Sequence, residues 1–120
     1  MKFTESHEWI SIEADLAVIG ITRYAQQELG EIVHLELPKV GTKVTAGDEV
    51  AVLESTKAAA DIYSPASGVI IEVNARLAED LTLINESPET NGWLYKMKLD
   101  DAREIESLYD EDKYNELITQ

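Results

Sequence analysis

The chain contains no cysteine, which excludes disulfides, thiolate metal sites and cysteine nucleophiles, so any redox chemistry must come from an attached group. Positive charge is scarce as well, with ten Lys and Arg against 24 Asp and Glu and a formal charge of −14. Such a field repels phosphate backbones and anionic headgroups, so neither a nucleic acid nor a membrane is an expected partner. No apolar run is long enough to span a bilayer, and the opening MKFTESHEWISIEAD lacks a basic start followed by an apolar stretch. A cytoplasmic location is the expectation. The only two histidines, His7 and His34, lack the spacing of metal ligands. His7 between Ser6 and Glu8 is no hydrolase triad either, because successive strand residues point to opposite faces.

What is present is the balance of a folded protein, 44% apolar and 28% charged over 120 residues, enough for one modest core. A single domain over 1–120 is expected. Strand-length runs recur at 8–12 (EWISI), 16–21 (LAVIGI), 32–37 (IVHLEL), 49–55 (EVAVLES), 60–64 (ADIYS), 68–73 (GVIIEV) and 93–98 (WLYKMK), with Gly, Pro, Asn and Asp between them. Many short strands predict a mainly β chain, a sandwich or flattened barrel. TRYAQQELG interrupts the series with Thr22 as a helix N-cap and Gly30 as the stop, giving a short helix near 23–29. The end of the chain predicts two short amphipathic helices, one with Ala102, Ile105, Leu108 and Tyr109 on its stripe and one with Tyr114, Leu117 and Ile118. Asp101 with Glu104 has capping-box spacing, and Asp110 can cap the second helix. Residues 100–120 hold eight acids and two bases, which reads as a solvated face, with an acidic docking surface as the alternative. Trp9 and Trp93 read as packing residues.

One stretch stands apart: ESTKAAADIYSP at 54–65. Glycine-led apolar blocks lie on either side of it, Gly41, Val44, Gly47 and Val50 before and Gly68, Val69, Val73 and Leu77 after. Two such halves, if paired, make STKA a hairpin tip and put Lys57 in solvent; chance likeness between β segments is the other explanation. A lysine at a turn is ordinarily a solvated charge. Here Thr56 precedes it and Ala58, Ala59 and Ala60 follow, so no bulky side chain stands beside the amine and a modifying enzyme has access. Alanine is a poor strand residue, and three together mean either surface kept clear or close packing by another strand.

SHEW, GIT, AQ, LG, ELP, VG, ESTKAAADIYSP, SG, EVN, LINESP, GW and SLYDEDKYNELI occur in the order found in the H proteins of the glycine cleavage system, and the chain resembles that family nearly end to end. The resemblance implies a lipoyl-domain-like fold (a barrel-sandwich hybrid) with Lys57 at a hairpin tip in amide linkage to lipoic acid, and Glu54 in recognition by the modifying lipoate ligase or lipoyl transferase. It implies a carrier rather than an enzyme, working with three partners: a pyridoxal-phosphate glycine decarboxylase (P protein), a folate-dependent aminomethyltransferase (T protein) and dihydrolipoyl dehydrogenase (L protein). It also implies that the loaded arm folds into a cleft lined by Ser6, Glu8 and Asp61, where a carboxylate beside a hydroxyl suits an ammonium. On strand alternation Ser6 and Glu8 share a face opposite His7. Without the resemblance Glu8 and Asp61 read as ordinary surface acids.

The chain departs from the family at Arg23 and Tyr24, where Asp-His is usual, and at Glu89–Gly92, where Tyr-Gly-Glu-Gly or similar precedes the late tryptophan. Both are expected in loops, where they bear on docking to the decarboxylase rather than on architecture. His34 stands where an aromatic or aliphatic residue is common. A biotin carrier is disfavoured, because Thr56 and Ala58 flank Lys57 and the methionines are Met1 and Met97. Relay of lipoate to 2-oxo acid dehydrogenases, lipoate-linked signalling, and an unmodified interaction domain are the competing functions.

Overall fold

In the computed structural model, which describes residues 1–119, the turn-forming breaks divide the chain into nine strands and three α-helices. In order they are β1 (Lys2–Phe3), β2 (Glu8–Glu13), β3 (Leu16–Ile21), α1 (Arg23–Leu29), β4 (Ile32–Glu36), β5 (Lys43–Val44), β6 (Glu49–Ser55), β7 (Ala59–Tyr63), β8 (Gly68–Val73), α2 (Thr82–Glu86), β9 (Tyr95–Leu99) and α3 (Glu111–Ile118), with 3₁₀ turns at Ala75–Ala78 and Ala102–Ser107. The longer strands coincide with the expected runs to within two residues. β1, β5 and α2 were not anticipated; elements of two to five residues are too short to display a period.

The strands form two antiparallel sheets, one of six in the order β1-β2-β3-β9-β8-β5 and one of three in the order β4-β6-β7. Neither closes on itself, so of the two β architectures expected the sandwich is the one adopted. Period-two alternation assigns the faces. Ile10 and Ile19 point into the main core with Ile21, Ile32, Leu53, Ile62, Ile70 and Met97. Their neighbours Trp9 and Val18 point the other way and join Phe3 and Tyr114 in a second, smaller cluster. That cluster is what α3 packs on, with Leu117 and Ile118 at its margin. Gly20 leaves room for the Trp9 indole, since a Cβ there would sit 2.8 Å from three ring atoms, and the Trp9 indole N–H donates to Pro88 O at 2.9 Å. Trp9 is therefore a packing residue as expected, and half-buried Trp93 carries the Lys96 amine 4.8 Å above its ring.

The glycine-led blocks do pair. β5 lies antiparallel to β8, and the contact is extended by Gly41 N–H to Ile70 O at 2.7 Å and Ile70 N–H to Thr42 O at 2.9 Å. Between them β6 and β7 form the expected hairpin. Thr22 caps α1 through Ala25 N–H at 3.1 Å, and Asp110 caps α3 through Lys113 N–H at 2.9 Å. The capping box at 101–104 does not form. Asp101 accepts from Arg103 N–H at 3.0 Å, while Glu104 is drawn away to Ser67, accepting from its N–H at 2.6 Å and its hydroxyl at 3.2 Å. With Glu104 committed to tertiary structure the segment tightens into a 3₁₀ turn, and Ala102 is left exposed.

The Tyr95 hydroxyl is buried without a hydrogen-bond partner among the described residues. Nearby Ser64 gives its hydroxyl to Ala66 O at 2.6 Å. Burial first, and the Glu8 charge after it, push the Tyr95 phenol well above its usual value of 10.0, against the pull of Ser64. A tyrosine kept neutral by the fold contributes stability in full below the unfolded value, and that contribution is lost as pH rises above about 10. Tyr95→Phe is expected to raise stability at pH 7 by about 1 kcal/mol and to flatten the alkaline limb above pH 10, both read from urea unfolding across pH.

Candidate functional site

At the tip of the β6–β7 hairpin, Ser55 N–H donates to Ala58 O at 2.8 Å. The Ser55 hydroxyl oxygen accepts from Lys57 N–H at 3.1 Å and from Ala58 N–H at 3.0 Å. Thr56 N–H ties the tip to Glu31 O at 3.3 Å. The turn backbone is thus held by its own serine, and Thr56 and Lys57 stand exposed at the apex. Among the described residues Lys57 has no carboxylate within salt-bridge distance. Ala58 and Ala59 are exposed and Ala60 half-buried, so the alanines keep surface clear rather than pack against a neighbouring strand. Glu54 is exposed on β6, in register with Ala59 on one side and His34 on the other.

The Lys57 side chain lies over the C-terminal end of α1, where a Cβ on Gly30 would be 3.0 Å from Cε and 3.6 Å from Nζ. Gly30 has φ 87 and ψ −162, a conformation essentially reserved for glycine. The residue that ends α1 therefore also leaves a floor on which the outer end of the lysine side chain rests. Glycine was legible as a helix stop; its contact with Lys57 was not, since it depends on the hairpin folding back.

Glu8 is 1% exposed. One carboxylate oxygen, Oε1, accepts from the Thr4 hydroxyl at 2.6 Å and the Ser6 hydroxyl at 2.6 Å; Oε2 faces Tyr63 N–H on β7 at 3.4 Å. No cation lies against it among the described residues. It is therefore no surface acid. Ser6 and Glu8 are brought together, but through a turn over residues 4–7 rather than by strand alternation, since β2 begins only at Glu8. Asp61 remains exposed on β7 and is not in hydrogen-bond contact with either among the described residues. Alternation places Ala59, Asp61 and Tyr63 on one outward face, with Tyr63 in the chain beside Glu8. The run from Ala59 to Tyr63 spans about 13 Å, with Asp61 midway between the hairpin tip and the buried carboxylate.

Thr4 was missed from sequence. Its hydroxyl also accepts from Glu8 N–H at 3.0 Å, a local turn contact readable from the spacing, but its second role toward the Glu8 side chain has no sequence signature. Among the described residues His7 is one of two non-glycine residues with positive φ, at 72°. Its Nδ1 lies 2.8 Å from the Tyr114 hydroxyl, and its ring lies against Tyr24, contacts that give His7 a structural role. The two departures from the family pattern also meet, and Arg23 and Tyr24 form the first turn of α1 rather than a loop. Glu89 accepts from Arg23 N–H at 2.7 Å, and the Arg23 guanidinium donates to the carbonyls of Asn85 and Glu86.

A family model described as glycine cleavage H-protein matches residues 1–120. The glycine cleavage system H protein of Thermotoga maritima is 50% identical over 119 residues, covering 99% of this chain and 96% of that protein. That of Bartonella tribocorum is 47% identical over 116 residues, covering 97% and 95%. The crystal structure of a glycine cleavage system H protein from Mycobacterium marinum superposes with a TM-score of 0.89 at 34% identity, covering 99% of this chain and 96% of that one.

Any side chain at Gly30 meets both an unfavourable backbone conformation and Lys57 Cε. Gly30→Ala is expected to cost about 1–3 kcal/mol in urea unfolding, and Lys57→Ala placed on top of it should recover only the steric part.

Proposed function

The chain belongs to the glycine cleavage H-protein family, and we propose that it serves that system as a non-catalytic carrier through a lipoyl amide on Lys57. The carrying observation is an amine at an exposed hairpin tip, from which an outward strand face leads past Asp61 to a buried carboxylate, neither of them with an ionic partner among the described residues. The residues present fit such a group: Thr56, Ala58 and Ala59 leave the amine open to a ligase, the Ser55 hydroxyl fixes the turn without touching Nζ, and Gly30 gives the base of the arm room. Glu54, in register with Ala59, stands where a lipoate ligase or lipoyl transferase reading the hairpin would meet it. Amide formation removes one positive charge, taking the formal net charge from −14 to −15.

When bound, the lipoyl group supplies a dithiol that exchanges an aminomethyl fragment and electrons with partner enzymes. The catalytic electron sinks belong to those partners: the pyridoxal-phosphate decarboxylase, the folate-dependent aminomethyltransferase and dihydrolipoyl dehydrogenase. The chain's own work is to hold and to shield. Glu8, fixed by the hydroxyls of Thr4 and Ser6, offers Oε2 to an ammonium, which would displace only the long contact from Tyr63 N–H. Charge-assisted hydrogen bonding there, with water excluded, would protect a hydrolysable fragment in transit. Asp61 guides the same cation along β7. Among the described residues no helix is long and apolar enough to cross a membrane, and the cytoplasm is the proposed location.

Intact-mass measurement after incubation with a lipoate ligase, lipoate and ATP should show one lipoyl amide, absent from Lys57→Arg. An unmodified chain, under conditions that label a known lipoyl domain, overturns the carrier reading. In the lipoylated protein Glu8→Gln should leave attachment unchanged and shorten the lifetime of the loaded state about tenfold, the worth of one charge-assisted bond. Exchange of the glycine carboxyl with bicarbonate by the decarboxylase separates glycine cleavage from lipoate relay, which would show none.

A further inference from the structure

The ring of Tyr114 and its hydroxyl do different jobs. The ring packs: it stacks on Phe3 with centroids 4.7 Å apart and planes 10° from parallel, inside the cluster of Trp9 and Val18. The attachment of the C-terminal segment is completed without the hydroxyl, by Phe3 N–H to Tyr109 O at 2.8 Å and Tyr109 N–H to Phe3 O at 2.9 Å, and by Leu117 and Ile118. A phenylalanine would stack as well. The hydroxyl reaches instead to His7 Nδ1 at 2.8 Å and to the buried Thr22 hydroxyl at 2.7 Å.

Both partners hold one turn. Thr22 N–H donates to His7 O at 3.0 Å and His7 N–H to Thr4 O at 3.1 Å, while the Tyr24 ring lies 4.7 Å from the imidazole. His7 is thereby kept at φ 72, a conformation that histidine tolerates better than most residues but that is still unfavourable for a side chain with a Cβ. Relaxation of His7 to the ordinary β region would swing Ser6, its immediate neighbour, off Glu8 Oε1. Burial raises the Tyr114 hydroxyl above its usual value, and the Thr22 bond opposes this while Glu89, Tyr24 and Glu8 add to it, so the group remains a neutral hydroxyl able to donate and accept at once.

We propose that Tyr114, through His7 and Thr22, is a positioning residue for the carboxylate site: the C-terminal helix sets where Ser6 and Glu8 stand, and so how tightly the site holds an organic ammonium. The proposal rests on the reading that Glu8 receives such a cation, and its test uses the unmodified full chain so that lipoate attachment does not enter. With glutamate carboxyl carbons labelled with ¹³C, methylammonium chloride is titrated against the Glu8 signal, with potassium chloride at matched ionic strength as the reference.

Wild type should show a saturable shift at Glu8. Tyr114→Phe should weaken the apparent affinity about three- to ten-fold, the range one hydrogen bond commands, and His7→Ala, which keeps a Cβ at positive φ and loses the bond to the hydroxyl, should do the same. Ile118→Ala, which loosens α3 without touching the hydroxyl, should lower Tm at least as far as Tyr114→Phe and leave the methylammonium affinity unchanged. An unchanged affinity in Tyr114→Phe, or an equal loss in Ile118→Ala, overturns the positioning role while the cation site stands. No saturable shift in wild type overturns the cation site and the positioning role together, and leaves Lys57 as attachment point untouched.

Discussion

A carboxylate taken out of water, with no cation beside it among the described residues, is the constraint around which this end of the molecule is organised. Burying such a group is costly unless hydrogen bonds replace its hydration, and in a chain of charge −14 the surrounding field adds to the cost. Thr4 and Ser6 supply that replacement to Oε1, each at 2.6 Å. Supplying two hydroxyls from residues this near in sequence requires the chain to turn sharply just before β2, and the turn in turn requires His7 at positive φ. His7 is kept there by the N-cap residue of α1 and by a tyrosine from the far end of the chain. Each support is ordinary by itself; what links them is that all converge on one oxygen and leave the other only weakly engaged.

The opposite end of β7 is built on the reverse principle. Among the described residues the Lys57 amine has no carboxylate partner, Thr56 and Lys57 are absent from the positive-φ positions, and the turn is closed by the Ser55 hydroxyl. Local side chain to backbone bonds fix the tip's shape while leaving the lysine's own rotatable bonds free. The hairpin thus joins an unconstrained amine to a tightly constrained acid along one strand face. A carrier needs both, since the arm must leave for other proteins' active sites and return to a shelter that is already formed.

Local physics was legible in the sequence to the extent that it was local. β3, β6 and β8 have the bounds that alternation and turn residues predict, and Thr22, Gly30 and Asp110 act as the caps they resemble, because each of these features involves neighbours within a few residues. Lys57 at an apex was conditional on the two glycine-led blocks pairing and was otherwise implied by the resemblance. Failures came where a side chain has a distant competitor. Glu104 has the spacing to close a capping box, yet Ser67 offers it a backbone N–H and a hydroxyl together, and an acceptor follows the stronger pair of donors. Ser6 and Glu8 meet as expected for a reason alternation does not contain. Thr4, and above all Tyr114, had no readable signal: a tyrosine on the apolar stripe of a terminal helix predicts packing, and nothing about its spacing says that its hydroxyl will find residues 7 and 22.

The departures at Arg23 and at Glu89 show the same limit from another side. Sixty-six positions apart, they read as unrelated loop changes that disturb a docking surface, whereas in space they are one contact, with the Glu89 carboxylate on the first N–H of α1 and the guanidinium on the last carbonyls of α2. An acid at a helix N-terminus is favourable, as is a cation at a helix C-terminus, so the pair suits both helix ends at once and the altered surface keeps its local packing. α1 is seven residues long, which sets the contact about 10 Å from the helix end where Gly30 meets Lys57. Along that length Arg23 also donates to Gln26 Oε1 at 3.2 Å, and Gln26 Nε2 donates at the long distance of 3.5 Å to Gly30 O, so one glutamine connects the exchange to the floor under Lys57. A change of that kind alters what a partner meets at the N-terminal end of α1, and because Gln26 spans the helix from Arg23 to Gly30, the surface offered to a partner and the floor beneath Lys57 are joined by side-chain contacts rather than independent.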